Sequence, residues 1–504
     1  MNGKNTFIIR QSDGNLKVPE ARNTGFTNQF IRKNLYHTLE KISSYRFARN
    51  IIAKQIERRV YSSMVSKDSP HLRKIQLKKF YFLKALLESS LKNMDKGYFS
   101  FDSFKRLLKV FIGQSFIEPE ISQQAARKSF KDQYEVEPPA FMVISPTQKC
   151  NLNCTNCYAV SDKHCMATLS YPVLHRVIEE AFNKFGIRFI TISGGEPFLY
   201  RDGNKTLFDI FKEFNKIFFL VYTNGTLLTP NIAVRLKELG NVTPAISVEG
   251  FEEQTDNRRG VNTYKKILGS FRNLRNAGVP FGVSVTAVSS NVDILLDDSF
   301  YEFYFDQIGA TYMWQFQLMP IGKAKDSLQF MVSPENRLKL FRKWESLLQE
   351  KNYCVADFWN SGILTDGCIA YGRKGGYIYI DWNGNITPCV FVPYSADNIY
   401  QLYKNGKSLS DALFSRFMKN GRKWQNEYGL NNQKKPDNWL MPCSIRDHYD
   451  NFRKKILTGN EISLNKEAEE SLQDDSYYEG LVNYDKELNM LTADIWEKEY
   501  IKGS

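Results

Sequence analysis

Cys150, Cys154 and Cys157 stand in the run Pro146-Thr-Gln-Lys-Cys150-Asn-Leu-Asn-Cys154-Thr-Asn-Cys157-Tyr158, a C-x3-C-x2-C spacing. Three thiolates so close in sequence fit one looping segment around a single metal centre. A [4Fe–4S] cluster has four iron positions, so three cysteines leave one iron open to another ligand, and the spacing favours chemistry over storage. Zinc is the rival reading. A structural zinc site wants four closed ligands, and His164 or Cys165 can supply the fourth. A looser group follows: Cys368, Cys389 and Cys443. An Asn383-Gly384 hairpin brings Cys389 back beside the segment bearing Cys368, and Cys443 arrives from a distant loop. The plain alternative is three scattered buried thiols, which is common for free cysteine.

Other residues have the chemistry to serve such a centre. Ser193-Gly194-Gly195-Glu196-Pro197 combines two glycines, which let backbone approach a ligand, with a carboxylate able to accept from an ammonium group. It can equally be a strand-to-helix turn. Thr223-Asn224-Gly225 follows, then Ser247-Val-Glu249-Gly250 and Asp256-Asn-Arg-Arg259-Gly260. A guanidinium such as Arg259, with Arg258 its neighbour, pairs well with a carboxylate. Against these stand a helix N-cap for Ser247 and a solvated charge for Arg259.

These residues need elements to place them. Short β-rich runs are expected at Phe141–Ser145, Arg188–Ser193, Phe218–Thr223, Pro244–Val248, Phe281–Val288 and Tyr312–Leu318. Amphipathic segments lie between or after them: Tyr171–Phe185, Pro230–Leu239, Thr263–Ala277, Asp293–Gln307 and finally Pro334–Glu350. Six strand-then-helix units predict an α/β fold with a parallel sheet or barrel, whose ligands gather at the C-terminal ends of the strands. Residues 27–112 read as helices interrupted at Ser69-Pro70, and Glu137-Pro138-Pro139 reads as a boundary. Residues 351–459 are turn-rich, with Tyr377–Asp381 and Asn385–Pro388 as hairpin arms. The last 45 residues read as helical, acidic and surface-exposed. No fixed-period repeat and no low-complexity tract appears.

The 504 residues suggest two to four units. With 42% hydrophobic residues, 36 Phe and 27 Tyr, a large core is available and disorder over most of the length is excluded. No apolar run approaches the about 18 residues a membrane span needs, and the N-terminus lacks a signal core, so a cytoplasmic protein is expected. Eight cysteines are too sparse for a disulfide scaffold. Residues 1–140 carry 26 Lys and Arg against 13 Asp and Glu, while residues 460–504 carry 4 Lys against 12 Asp and Glu. In the basic head, Lys33, Arg49, Lys54, Arg58 and Arg59 lie among Leu35, Phe47, Ile51, Ile52 and Ile56. Such a head suits an anionic membrane, nucleic acid or an acidic peptide. It can instead be a solvated face partnered by the acidic tail.

The cysteine loop after the first strand resembles the C-x3-C-x2-C loop of the radical S-adenosylmethionine superfamily. It departs at Asn156, where the family commonly has an aromatic residue; Tyr158 comes one place later. Gly194, Gly195, Glu196 and Pro197 are similar to the family's GGEP motif, which meets the methionine amino group. Asn224 lies in a second family signature, and Ser247 and Arg259 match positions that hold the ribose or carboxylate. Tyr379 to Cys389 resembles the start of an auxiliary-cluster extension called SPASM or, when shorter, twitch. The resemblance implies a partial (β/α)6 barrel at 140–350, after a helical N-terminal domain at 1–139. A small auxiliary-cluster domain at 351–459 and an acidic helical tail at 460–504 follow. It implies a catalytic [4Fe–4S] cluster on Cys150, Cys154 and Cys157 whose open iron binds S-adenosylmethionine, cleaved to a 5′-deoxyadenosyl radical that abstracts hydrogen from a substrate. A second [4Fe–4S] cluster would sit on Cys368, Cys389 and Cys443, with Asp447, His448, Cys354 or the substrate as fourth ligand; Cys165 and otherwise Cys354 read as non-ligands. The expected partners are an electron donor such as flavodoxin or ferredoxin and a peptide or lipid-like substrate, with peripheral membrane contact and without nucleic acid. The competing class is a non-catalytic iron–sulfur or zinc module, which has no need of the Gly-Gly-Glu-Pro run or the Ser247–Arg259 pair.

Overall fold

The structure is a computed structural model describing residues 46–67, 69–98, 100, 103 and 121–503. The chain divides into two units, residues 1–51 and 52–504. Of the first, only the opening turns of the Arg46–Met64 helix are described, so the helices expected around Phe30, Leu35 and Leu39, and the cation Lys33, lie outside the described residues.

The second unit is built on a ten-stranded sheet. Its first six strands fall where β-rich runs are expected: β1 (Phe141–Ile144), β2 (Phe189–Ile192), β3 (Phe218–Thr223), β4 (Val242–Val248), β5 (Gly282–Ala287) and β6 (Tyr312–Gln317). They lie side by side in that order, all parallel. Sequences such as Phe-Met-Val-Ile run apolar without alternation because helices cover one face and the barrel interior the other. The covering helices start and stop on local signals. Thr229 caps the Pro230–Leu239 helix and Gly240, at φ +64°, ends it.

The sheet continues past residue 350. Strand β7 (Val355–Asp357) pairs parallel with β6. Strand β8 (Tyr377–Ile380) pairs parallel with β1 at the other end, with Phe141 opposite Tyr377 and Ile144 opposite Ile380. The expected hairpin forms, β8 running antiparallel to β9 (Asn385–Thr387), and β10 (Asp397–Asn398) completes that edge. The six-unit barrel is thus flanked on both sides by strands from the turn-rich region.

Three expectations change. The long helix expected at Asp293–Gln307 is broken into Val292–Leu296, Asp298–Tyr301 and a wider turn at Glu302–Ile308. Asp297 stands extended at the break and accepts from the Ser299 amide at 2.7 Å; short polar side chains favour such caps over helix interiors. The acidic tail is not a surface appendage. Its helix Asp475–Ile495 buries Tyr477, Leu481, Tyr484 and Leu488, and the following turn buries Trp496 and Tyr500. The described part of the basic head packs inward in part and pairs with the acidic tail, while Ile51 stays 44% exposed. Ala53 packs with Leu87 and Leu91, and Val60 with Phe80 and Leu83. Lys74 pairs with Glu499 at 2.5 Å, Lys78 with Glu345 at 2.5 Å and Lys79 with Asp366 at 2.7 Å. Lys54, Arg58 and Arg59 stay exposed.

If the tail is core, Leu481→Ala, at a fully buried position, should destabilise by about 2–5 kcal/mol. Met490→Ala, on the same helix but 73% exposed, should stay within about 0.5 kcal/mol. Denaturant midpoints of the two variants check this, and equal midpoints would contradict it.

Candidate active site

The loops that follow β1, β2, β3, β4 and β6 meet at one end of the sheet, the C-terminal end where parallel α/β folds place ligands. The loop after β1 carries Cys150, Cys154 and Cys157, all free thiols, the first buried and the others half-buried. Its shape is imposed from outside. The turn after β2 donates two amides into it, Gly195 N to Thr147 O at 3.0 Å and Glu196 N to Lys149 O at 2.9 Å. A methyl group on Gly195 would lie under 3.0 Å from the carbonyls of Gln148 and Lys149, and one on Gly194, at φ +116°, equally close to Thr147 O. The glycines expected to admit a ligand therefore admit the cysteine loop itself. Thr155 N donates to Arg258 O at 3.1 Å, and Lys323 N, after β6, donates to Cys157 O at 3.1 Å. The Lys323 ammonium reaches Asn153 Oδ1 at 2.6 Å. Asn156 sits at φ +56°, a left-handed conformation that Asn adopts more readily than most residues.

Glu196 is fully buried. It accepts from Thr223 Oγ1 at 2.8 Å, Asn224 N at 2.9 Å and Phe198 N at 3.2 Å. Burial nonetheless pushes its carboxyl up to about 7, against those hydrogen bonds. Pro197 opens the short turn that Glu196 caps. Asn224 donates from Nδ2 to Asn151 Oδ1 at 2.9 Å and lies 3.8 Å from Cys150 Sγ. Burial pushes the Cys150 thiol up to about 12, so this site needs a cation to hold thiolates. Two stand nearby: Arg259, and Arg258 behind it, act against burial on Cys154.

Those arginines are not free. Arg259 Nε and Nη2 donate to Glu249 Oε1 at 2.9 and 2.5 Å, and Arg258 Nη1 lies 2.7 Å from Glu249 Oε2. Burial works against the Arg259 charge, but Glu249 and then Cys154 hold its pKa above the ordinary value. Two cations on one carboxylate leave one positive charge beside the cysteine loop. Sequence reasoning quoted Glu249 without giving it a role; the signal was a carboxylate at a strand end followed by an Arg pair. Ser247 caps no helix. It faces its β5 neighbour Ser284, hydroxyl to hydroxyl at 3.1 Å. Tyr158 turns toward Phe391, ring centroids 5.8 Å apart, and Phe391 also meets Phe316, Phe358 and Trp359.

Cys165 points at Val160 O and Asp162 instead, and His164 is exposed. Among the described residues no group of three His, Cys, Asp or Glu side chains is arranged to hold a single metal ion. Thiolates of a four-iron cluster each bind a different iron, and the donor set here, with amide and guanidinium groups around it, fits such a cluster.

The second group lies within electrostatic reach of itself. Cys368, Cys389 and Cys443 act electrostatically on one another and on Tyr371, which stands among them. Cys354 is buried at the start of β7 with Tyr312 beside it, and no other thiol acts on it. Asp447 is fully engaged. Arg337 grips both its oxygens at 2.5 and 2.9 Å, and Cys443 N donates to it at 3.1 Å. His448 Nε2 is bonded to Met441 O at 2.8 Å. Of the fourth ligands weighed from sequence, Asp447 is thus engaged by Arg337 and Cys354 stands apart, while His448 has one of its two ring nitrogens bonded.

Residues 144–293 match the family model described as the radical SAM superfamily. The chain is 27% identical over 295 residues to the AdoMet-dependent heme synthase of Methanosarcina barkeri, spanning 52% of this chain and 79% of that one. It is 25% identical over 336 residues to the mycofactocin maturase MftC of Mycobacterium tuberculosis, spanning 64% and 80%. The crystal structure of Streptococcus suis SuiB bound to S-adenosylmethionine superposes with a TM-score of 0.49 at 15% identity, over 74% of this chain and 89% of that one. Among the described residues no helix is long and apolar enough to cross a membrane.

Gly195→Ala should force the cysteine loop off its two amide donors. Iron bound at Cys150, Cys154 and Cys157 should fall by more than half while the far-UV circular dichroism spectrum is kept; full iron retention would contradict the packing described. Arg259→Ala should remove the guanidinium that stands beside the cysteine loop and weaken S-adenosylmethionine binding at least about tenfold, as expected from the 1.5–3 kcal/mol of a charge-assisted bond and read by equilibrium dialysis.

Proposed function

From a chain whose residues 144–293 form a radical SAM domain, a domain that works with a [4Fe–4S] cluster and S-adenosylmethionine, we propose an enzyme that abstracts hydrogen from a peptide or protein substrate. Cys150, Cys154 and Cys157 would hold the cluster, and Cys368, Cys389 and Cys443 a second one. Bound there, a [4Fe–4S] cluster would supply the single electron that cleaves the cofactor's sulfonium to methionine and a 5′-deoxyadenosyl radical. What carries the reading is the pairing of opposite charges across the cysteine loop: the buried Glu196 carboxylate on one side and the Arg258–Arg259–Glu249 group, net positive, on the other. A zwitterionic amino acid group has this polarity. Glu196 would accept from its ammonium, Arg259 would pair with its carboxylate, and Ser247 and Asn224 would orient the rest. The maturase relative supports a peptide substrate. The heme synthase relative, with the aromatic side chains of Tyr158, Phe316, Phe358 and Phe391 between the two cysteine groups, favours a planar tetrapyrrole as the second reading. A lipid-like substrate has less support, because Ala53 and Val60 of the described basic helix pack against Leu87, Leu91, Phe80 and Leu83 inside the protein.

Anaerobic reconstitution should load about eight irons per chain, and dithionite should then release 5′-deoxyadenosine from S-adenosylmethionine. Stoichiometric zinc without an iron chromophore would replace this reading with a metal-binding module. Binding should also depend on pH. With the Glu196 carboxyl at about 7 in the free protein, affinity should be full above that value and fall as pH drops through it, because the protonated acid no longer accepts from the ammonium. Glu196→Gln should be weak at every pH; a wild-type profile flat from pH 6 to 8 would remove Glu196 from the site.

A further inference from the structure

The second cysteine group contains an interaction that the proposed chemistry does not require. Tyr377, on β8, is 1% exposed, and its hydroxyl donates to Cys389 Sγ at 2.9 Å. The acceptor side of that oxygen is taken by the Val390 amide at 3.4 Å, which leaves the phenolic hydrogen for the sulfur. A thiolate bound to iron has only acceptor capacity, so the contact persists in kind when the group is loaded. Phe391 N also points at the same sulfur, at 3.5 Å. The ring is held independently of its hydroxyl, stacked on Phe141 at 4.9 Å between centroids, with the backbone locked to β1.

We infer that Tyr377 is a positioning residue that sets the reduction potential of the second cluster through its hydrogen bond to Cys389. Reduction adds negative charge to a cluster and its thiolates, and a donor aimed at sulfur stabilises the more negative state, so the hydroxyl raises the potential. This rests on the reading that Cys368, Cys389 and Cys443 hold iron. The consequence for the enzyme is an electron acceptor tuned by the strand that joins it to β1, the strand leading into the first cysteine loop.

The test uses the full chain with Cys150, Cys154 and Cys157 replaced by Ala, so that only the second cluster remains, alongside the unsubstituted holoprotein. Adding Tyr377→Phe should keep the iron content and lower the reduced-to-oxidised ratio at a fixed applied potential about tenfold, a shift of about 59 mV for one electron. Tyr394→Phe, which deletes a buried hydroxyl bonded to Ser471 at 2.8 Å and away from the three cysteines, should leave the midpoint in place. In the unsubstituted protein, pulsed EPR of the reduced second cluster should show couplings to exchangeable protons that vanish in D2O, and Tyr377→Phe should remove the stronger one. An unmoved midpoint with iron retained overturns the inference. So does loss of iron on Tyr377→Phe alone, since a hydroxyl that tunes a cluster does not decide whether it loads. Absence of iron from the triple-Ala chain instead overturns the second-cluster reading beneath it.

Discussion

The close approach of two loop backbones organises this site. The amides of Gly195 and Glu196 reach carbonyls of the cysteine loop at 3.0 and 2.9 Å, and no side chain fits between. A backbone seam holds position more tightly than side chains can, because neither partner has rotamers to lose. The seam sets where Cys150 enters, and the same turn sends Glu196 inward to Thr223 and Asn224. Three consecutive strand ends are thereby tied around one thiol before any ligand is considered.

The rest of the chain is arranged so that this end of the sheet is supported from both sides. Beyond β6, the buried Asp357 accepts from Gln315, Asn360 and Trp359, Asn360 accepts from Arg337, and Arg337 grips Asp447 beside Cys443. Removing one member of a buried ion pair costs about 3–5 kcal/mol, since the other charge is left unpaired. Such a pair is weak evidence for stability, but its two hydrogen bonds tie the loop bearing Cys443 to the helix Pro334–Gln349. Beyond β1, β8 brings Tyr377 and, across its hairpin, Cys389. The second cysteine group is thus fixed to the same sheet as the first, by a polar network at one end and strand pairing at the other. The tail helix closes the arrangement by burying Tyr477 and Leu481.

What the sequence determined by itself was whatever depends on near neighbours along the chain. The C-x3-C-x2-C spacing and the six strand positions are local, and the strand at Phe218–Thr223 and the helices at Pro230–Leu239 and Thr263–Ala277 lie where their patterns put them. Other features were decided only by tertiary structure. The partner of the Gly195 amide is the Thr147 carbonyl of another loop, 48 positions away. Glu249 became the hub of two arginines because β4 and the helix after it fold back on each other. The pairing of Tyr377 with Phe141 joins segments that no periodicity connects, and the acidic tail was read as exposed because its charges are visible in sequence while the core that receives its Tyr and Leu face is not. A chain records which side chains it has and how they alternate; which surfaces meet is settled by the sum of weak long-range contacts, and that sum exists only once the sheet has formed.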